Sequence, residues 1–271
     1  MAPDPFRTRD YIPEFDDIVR ELSTRSETTR ASLRMIEVSY GSDRTETFDL
    51  FFPKDVRAPA PVHMFVHGGY WRMFSKRDFS YIADTVTNAG AIAAIVDYAL
   101  MPSVRMDVPV TQVRRAKDWL VANIEKHGGD PARLTASGHS AGAHLCALSF
   151  AKGNSPSGLK AALLLGGLYD LKPLQTSFLK PEIGITDEEA QCFTPLTHRY
   201  DRAVEAMVMI GEEETAPFHD QADAFAAHLT DQGLRVRRKD LRNRNHMSSV
   251  RDLGIVGTEA GDDLYALIQI A

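Results

Sequence analysis

The residues from Leu134 to Leu145 constrain this chain more than any other stretch, because a G-x-S-x-G motif lies between two different patterns. A short apolar run precedes the motif, and an Ala-rich run of helix-forming residues follows it. A serine at the tip of a sharp strand-to-helix turn has a strained backbone, so the residues two positions away must lack side chains. Gly138-His139-Ser140-Ala141-Gly142 meets this requirement. The turn would raise the Ser140 hydroxyl above a sheet and leave the Ala141 N–H at a helix start, where negative charge is stabilised.

Strand and helix patterns alternate from residue 61 onward, which is the context that this motif needs. Without this context, the motif would also fit a Gly/Ser loop that has no catalytic role. Strands are predicted around the motif and at residues 61–66, 91–96, 159–165, 204–210 and 234–241, with helices such as 109–126 between them. Two alternating segments, 33–40 and 46–52, predict a hairpin. The fold is therefore predicted to be α/β, with a mostly parallel central sheet, helices on both faces and an antiparallel hairpin at one edge.

The length of 271 residues fits one large α/β domain. Residues 1–32 are predicted to form an N-terminal arm, in which 16–31 gives one or two helical turns. The segment at about 172–200 carries several prolines and no long periodic run, so it is predicted to be a cap-like or lid-like insertion over the site.

Charge and composition exclude several classes of protein. A net charge of −6 argues against a general nucleic-acid binder, which needs a basic face. Cys146 and Cys192 lie outside any metal-ligand or C-x-x-C spacing, and their low number favours a reducing compartment. No apolar run is long enough to cross a bilayer, and the first residues lack the pattern of a secretory signal. We therefore expect a cytoplasmic protein that binds neither membrane nor nucleic acid.

A serine nucleophile requires a base and an acid, which follow it in the order Ser, Asp or Glu, His on this scaffold. His219 and His228 fall inside a predicted helix, whereas His246 lies in a loop directly after the last strand, so His246 is the predicted base. The loop after the preceding strand offers three adjacent carboxylates, Glu212, Glu213 and Glu214. Asp170, at the end of the 159–165 strand, is an alternative acid.

A second glycine-rich turn, His67-Gly68-Gly69-Tyr70-Trp71, also follows a strand. It is typical of an oxyanion loop of the HGGG type, with Tyr70 replacing the third glycine. The backbone N–H groups of Gly69, Tyr70 and Ala141 are the predicted oxyanion donors. His67 is predicted to hold the loop rather than to transfer protons.

Aromatic residues near the predicted strand ends would line a substrate pocket, although each one singly is more often a core residue. They are Tyr70, Trp71, Phe74, Tyr169 and Phe218. A cluster of basic residues near His246 is predicted to be a solvated strand face, and a sharper hypothesis is that it steers an anionic substrate. This basic cluster comprises Arg235, Arg237, Arg238, Lys239, Arg242 and Arg244.

Over roughly residues 34–255 the chain resembles the α/β-hydrolases of the arylformamidase (kynurenine formamidase) and small-carboxylesterase type. The matching pieces are HGGYW at 67–71, GHSAGAHL at 138–145, GLYDL at 167–171 and Asn245-His246. The segment 211–221 is similar to the acid loop of that family, with Glu214 where the family has an aspartate. The resemblance therefore favours Glu214 over its neighbours. It implies the α/β-hydrolase fold, hydrolysis of N-formylkynurenine or of small aryl and acyl esters, and no metal or organic cofactor.

Together these features predict a serine hydrolase that cleaves a small acyl or aryl ester, or an N-formyl amide, through an acyl-enzyme. Its predicted catalytic residues are Ser140, Glu214 and His246, and its predicted substrate-binding residues are Tyr70, Trp71, Tyr169 and Phe218. A thioesterase and a catalytically silent binding protein on the same fold are the alternatives. The partner is expected to be a small-molecule substrate, and the sequence leaves a homodimer open.

Overall fold

A computed structural model describes residues 3–55, 59–153 and 155–270 of the protein, so Met1 and Ala2 of the predicted arm lie outside the described residues. Eight strands form one sheet: β1 (Met35–Ser39), β2 (Thr47–Phe51), β3 (Ala60–Val66), β4 (Ile92–Val96), β5 (Gly129–His139), β6 (Ala161–Leu165), β7 (Glu205–Gly211) and β8 (Val236–Leu241). Their order across the sheet is β1-β2-β4-β3-β5-β6-β7-β8. The hairpin β1–β2 pairs antiparallel with β4, and every pairing from β4 to β8 is parallel.

The parallel strands are buried on both faces, as their continuous apolar sequences predict. Along β4, Ile92, Ala94 and Val96 pack into one hydrophobic core, whereas Ala93 and Ile95 pack into a second core on the opposite face. This alternation follows from the two-residue period of a strand. The predicted α/β architecture is confirmed.

Helices cover both faces of the sheet. They are α1 (Phe15–Ser32), α2 (Ile82–Asn88), α3 (Asp107–Asn123), α4 (Ala141–Ser149), α5 (Asp187–Phe193), α6 (Ala216–Asp231), α7 (His246–Leu253) and α8 (Glu259–Gln269). Within the described ranges, no helix has both the length and the apolar character needed to cross a bilayer.

Two helix predictions were wrong. Helix α1 has 18 residues rather than one or two turns, because its buried stripe is only one residue wide and is easily missed among its charges. The stripe consists of Ile18, Leu22, Ser26 and Thr29. His246 does not lie in a loop, since it is the first residue of α7.

The segment 172–200 contains α5 and two short 3₁₀ helices. It is fixed to the helical layer at two points: Arg105, just before α3, forms an ion pair with Glu189, and Nε2 of His144 in α4 lies 2.8 Å from the Phe193 carbonyl oxygen. Its Phe178 ring packs edge-on against Tyr70 with centroids 5.3 Å apart. The insertion therefore lies beside the glycine-rich turn that follows β3, while its predicted covering role stays a prediction.

Candidate active site

Ser140 occupies a sharp turn between β5 and α4. Its φ of 55° and ψ of −120° are strained for a residue with a side chain. A Cβ atom on Gly138 would lie 2.3 Å from the carbonyl oxygen of Gly142, and one on Gly142 would lie 2.0 Å from that of Val66. Both glycines are therefore sterically required, as the motif predicts.

His246 is held by the capping box of α7. The Asn245 side chain accepts from the N–H groups of Met247 and Ser248, and the Ser248 hydroxyl accepts from the Asn245 N–H. This arrangement satisfies the free amides of the first turn and fixes where the helix begins. The His246 side chain consequently projects from a fixed backbone position.

Glu214 is the predicted acid that contacts His246. Its Oε2 lies 2.6 Å from His246 Nδ1, and the side chains of the pair are only 1% and 5% exposed. The second oxygen, Oε1, accepts from the Gly211 N–H at 3.0 Å. The Gly211 bond holds the carboxylate in place, and the short charge-assisted contact through Oε2 fixes the imidazole orientation.

The alternative acids have other contacts. Glu212 accepts from the Asn243 N–H, Glu213 is exposed, and Asp170 accepts from the Lys172 N–H within its own turn. Space at the pair is limited by Gly166, whose φ is +54°. A Cβ atom there would lie 3.0 Å from Glu214 Oε1 and 3.1 Å from His246 Nδ1. The glycine thus lets the end of β6 approach the pair.

The turn after β3 has a continuous left-handed backbone. The φ angles are +107° at Gly69, 49° at Tyr70 and 57° at Trp71. No hydrogen bond between described residues uses the backbone N–H of Gly69, Tyr70 or Ala141 as its donor. Three amide donors near Ser140 thus remain available for a ligand oxygen, as an oxyanion hole requires.

The ring of His67 and its contacts hold the turn after β3 in place. The His67 ring stacks on Tyr98 at 4.3 Å, and the Tyr98 hydroxyl donates to the His67 carbonyl oxygen at 2.9 Å. His67 Nδ1 lies 2.8 Å from the carbonyl oxygen of Gly68. These contacts fit the predicted structural role of His67.

A small cavity of about 40 Å³ lies against Ser140 and His246. Its other walls include Gly69 and Tyr70 of the turn after β3, and Thr8 and Phe15 from the N-terminal residues. A larger cavity of about 130 Å³ adjoins it, because the two share Thr8, Phe15, Tyr70 and Met73 among their lining residues. Sequence patterns did not predict this wall, because Thr8 and His246 line one cavity while lying far apart in the chain, which leaves no local periodicity.

Comparisons with known proteins agree with this geometry. Residues 48–180 match the family model BD-FAE. The chain is 27% identical to the kynurenine formamidase of Danio rerio, over 88% of this chain and 85% of that protein. It superposes on a candidate thioesterase from Silicibacter sp. TM1040 with a TM-score of 0.83 and 26% identity, covering 98% of both chains. An esterase from Pyrobaculum calidifontis, at 17% identity and a TM-score of 0.75, shares the fold.

The chain has the α/β-hydrolase fold, and these matches confirm its resemblance to the arylformamidase-like esterases. Its curated relatives are formamidases and esterases, including esterase LipQ of Mycobacterium tuberculosis at 28% identity over 80% of this chain and 58% of that one. The protein is therefore an enzyme that hydrolyses an ester or a formamide.

The aromatic residues predicted to bind substrate occupy different positions in this hydrolase. Tyr70 lines both cavities, and the Phe218 ring lies 4.9 Å from that of His246. Trp71 and Tyr169 are fully buried: the Trp71 indole donates to His144 Nδ1 at 3.1 Å, and the Tyr169 ring stacks on Phe225 at 4.1 Å. Trp71 and Tyr169 are therefore core residues, and neither lines the two cavities.

The basic cluster of the hydrolase is largely neutralised by ion pairs. Carboxylates lie within 4.0 Å of Arg235, Arg237, Arg238, Lys239 and Arg244. Of its six members, only Arg242 lacks a carboxylate within that distance among the described residues. This pairing favours the interpretation as a solvated strand face over substrate steering.

One residue of the site was missed within the motif itself. His139 is buried, lines the same cavity as Ser140, and lies 2.9 Å from the carbonyl oxygen of His246 through its Nε2. Its place next to the serine was a signal that could have been used. Within the described ranges, no group of three or more His, Cys, Asp or Glu side chains could hold a metal ion.

Proposed function

We propose that this hydrolase is a serine enzyme that cleaves N-formyl amides or small acyl esters through an acyl-enzyme on Ser140. The observation that carries the proposal is the contact of His246 Nδ1 with the buried Glu214 carboxylate beside a cavity that Ser140 also lines. A serine hydroxyl is a weak nucleophile until a base removes its proton, and a carboxylate on the far nitrogen of the base stabilises the imidazolium that forms.

In the first step the Ser140 oxygen attacks the substrate carbonyl carbon, while His246 Nε2 takes the hydroxyl proton. Glu214 holds the His246 proton on Nδ1, so that Nε2 is free to accept. His246 then gives its proton to the departing nitrogen or oxygen, and an acyl-enzyme remains. A water molecule, deprotonated by the same histidine, hydrolyses the acyl-enzyme and restores Ser140.

Negative charge develops on the carbonyl oxygen in both steps. The amides of Gly69, Tyr70 and Ala141 would donate to it, and the last also lies at the N-terminus of α4. Loss of one such donor typically costs about 3 kcal/mol of transition-state stabilisation. The strained backbone at Tyr70 and Trp71 supports this role, because strain of this kind persists where it orients functional groups.

The cavity favours a very small acyl group. Its volume of about 40 Å³ is only a few times the ~10–15 Å³ that one buried water molecule needs. A formyl group fits this space better than a propionyl or longer chain. The adjoining cavity has the aromatic walls Phe15, Tyr70 and Phe178, which would suit an aryl leaving group. Similarity to kynurenine formamidases supports the same choice.

A thioester is the second candidate, on the strength of the 26% identity to a candidate thioesterase over 98% of both chains. The bonds differ in their leaving group, while the nucleophile and the oxyanion donors would be shared. Relative rates on matched acyl groups therefore distinguish the two candidates.

The test compares purified enzyme with Ser140→Ala on N-formylkynurenine, p-nitrophenyl acetate and a short acyl thioester. We expect turnover of the formamide and the acetate ester, a steep fall from acetyl to butyryl esters, and a loss of at least about 1,000-fold in the alanine variant. Equal activity of that variant would exclude Ser140 as the nucleophile. Tight binding of all three compounds without turnover would instead indicate a silent binding protein.

A further inference from the structure

His139 contacts two other parts of the proposed catalytic machinery as well as being bonded to Ser140. Its Nε2 lies 2.9 Å from the carbonyl oxygen of His246, and its ring centroid lies 4.5 Å from the His246 ring. Because a carbonyl oxygen only accepts hydrogen bonds, Nε2 must carry the proton and Nδ1 must carry the lone pair. Among the described residues, Nδ1 is buried and has no hydrogen-bond partner.

The turn after β3 packs against the same residue. A Cβ atom placed on Gly68 would lie 2.8 Å from the His139 carbonyl oxygen and 3.0 Å from its Nδ1. Gly68 therefore has to be a glycine for the oxyanion loop to approach this closely. His139 consequently links three segments: the serine turn to which it belongs, the loop of the oxyanion donors, and the first residue of α7.

The link to His246 has a geometric consequence. Consecutive Cα atoms are about 3.8 Å apart, so the position of Ser140 follows that of His139. The bond from His139 Nε2 to the His246 carbonyl then relates the nucleophile to the base, although His139 and His246 are 107 positions apart in the chain. Glu214 orients the imidazole ring of His246 but does not contact the serine turn in this way.

We propose that His139 is a positioning residue, which holds the main chain of His246 at a fixed separation from Ser140 through its Nε2 hydrogen bond. This inference rests on the proposed function of Ser140 and His246. A displacement of about 1 Å between a nucleophile and its base can lower the rate about 100-fold, so one hydrogen bond at this place has a large effect on kcat.

The side chain at position 139 must also be uncharged. His246 becomes positively charged when it takes the serine proton, and a second charge 4.5 Å away would oppose that step. Burial, and then the nearby charge of His246, lower the pKa of His139 well below its ordinary value, so it stays uncharged during turnover. The neutral imidazole of His139 meets both requirements, because its Nε2–H donates to the His246 carbonyl oxygen and the ring carries no charge.

The test uses three substitutions that separate the donor from the packing. His139→Gln keeps an amide N–H near the position of Nε2, His139→Met has the same length without a donor, and His139→Asn keeps an amide that is too short to reach. We expect kcat to fall by about 10- to 100-fold in the Met and Asn variants with KM changed by less than about 2-fold. His139→Gln should stay within about 3-fold of the parent.

Thermal melting shows which variants are folded, and the labelling rate of Ser140 by a fluorophosphonate reports the nucleophile directly. A folded Met or Asn variant with the parent kcat overturns the proposal, and so does a Gln variant that loses as much as Met. If only the Gln variant folds, the Nε2 hydrogen bond serves folding rather than positioning, and the proposal fails. Absence of Ser140 labelling in the parent, with an active Ser140→Ala, would instead refute the proposed function itself.

Discussion

The hydroxyl of Thr215 donates a hydrogen bond to the carbonyl oxygen of Pro5 at 2.6 Å, which ties the N-terminal segment to the residue that follows Glu214. Two further hydrogen bonds join the N-terminal segment to other parts of the site. The Tyr70 hydroxyl donates to the Phe6 carbonyl, and the Asn245 amide donates to Glu14 at 2.7 Å. The segment from residue 3 to residue 14 thus contacts the residues next to Glu214 and His246 and also Tyr70 of the turn after β3.

Thr8 belongs to this N-terminal segment, and a larger side chain at its position should block substrate entry. It lines both the 40 Å³ cavity at Ser140 and the adjoining 130 Å³ cavity. Thr8→Trp should lower kcat/KM for p-nitrophenyl acetate by at least about 10-fold, because the added ring occupies the volume that the ester needs. Thr8→Val has the same shape and should stay near the parent value. Unchanged kcat/KM in a folded Trp variant would show that substrate enters elsewhere.

The role of Glu214 should be distinguishable from that of Glu213 by replacing each glutamate with glutamine, which removes the charge and keeps the size of the side chain. Glu214→Gln leaves a side chain of the same size but removes the carboxylate that holds the proton on His246 Nδ1. We expect kcat to fall by about 10³- to 10⁴-fold. Glu213→Gln is the matched control, since Glu213 is exposed and its loss should change kcat by less than 2-fold. Comparable losses in the two variants would contradict the assignment.

The sequence identified features that depend on local sterics and missed those that depend on distant contacts. Gly138 and Gly142 were predictable because the turn at Ser140 cannot hold a Cβ atom on either side. The choice among three adjacent glutamates needed the resemblance, since only the fold brings the Gly211 N–H to Glu214 and the Asn243 N–H to Glu212.

Other parts of the site were less accessible to sequence patterns. The start of α7 at His246 was readable from Asn245 and Ser248, which form a capping box, but was predicted as a loop. The wall formed by Thr8 and Phe15 had no signal in the sequence, because it brings together residues that are far apart in the chain. Long-range packing of this kind is set by the whole fold rather than by any local pattern.

Acid should destabilise the protein through its buried neutral histidines. Burial lowers the pKa of both His63 and His144 to about 3, from an ordinary value of 6.5. Below pH 6.5 the unfolded chain therefore binds protons that the folded chain does not, so stability is full above pH 6.5 and is lost as the pH falls toward 3. Each histidine should contribute a loss of about 2 kcal/mol between pH 7 and pH 5.

Urea unfolding at pH 5, 6 and 7 measures this loss. His144→Gln keeps a donor for the Phe193 carbonyl but cannot be protonated, so its unfolding free energy should fall by about 2 kcal/mol less than that of the parent. Carboxylates titrate equally in both proteins and cancel in the difference. Parallel pH curves for parent and variant would mean that His144 is not buried neutral in solution.

Gly142 should tolerate no side chain, because it is the point where the serine turn touches β3. A Cβ atom there would lie 2.0 Å from the Val66 carbonyl oxygen and 2.5 Å from that of His67, both of which are backbone atoms that cannot rotate away. Gly142→Ala should therefore separate α4 from the oxyanion loop, lower the unfolding free energy by about 2–4 kcal/mol and reduce kcat at least 10-fold in whatever folded protein remains. Gly153→Ala is the control, since a Cβ atom at Gly153 meets nothing within 4 Å. If urea unfolding and kcat were the same for Gly142→Ala and Gly153→Ala, the close contact between the serine turn and β3 would not exist in solution.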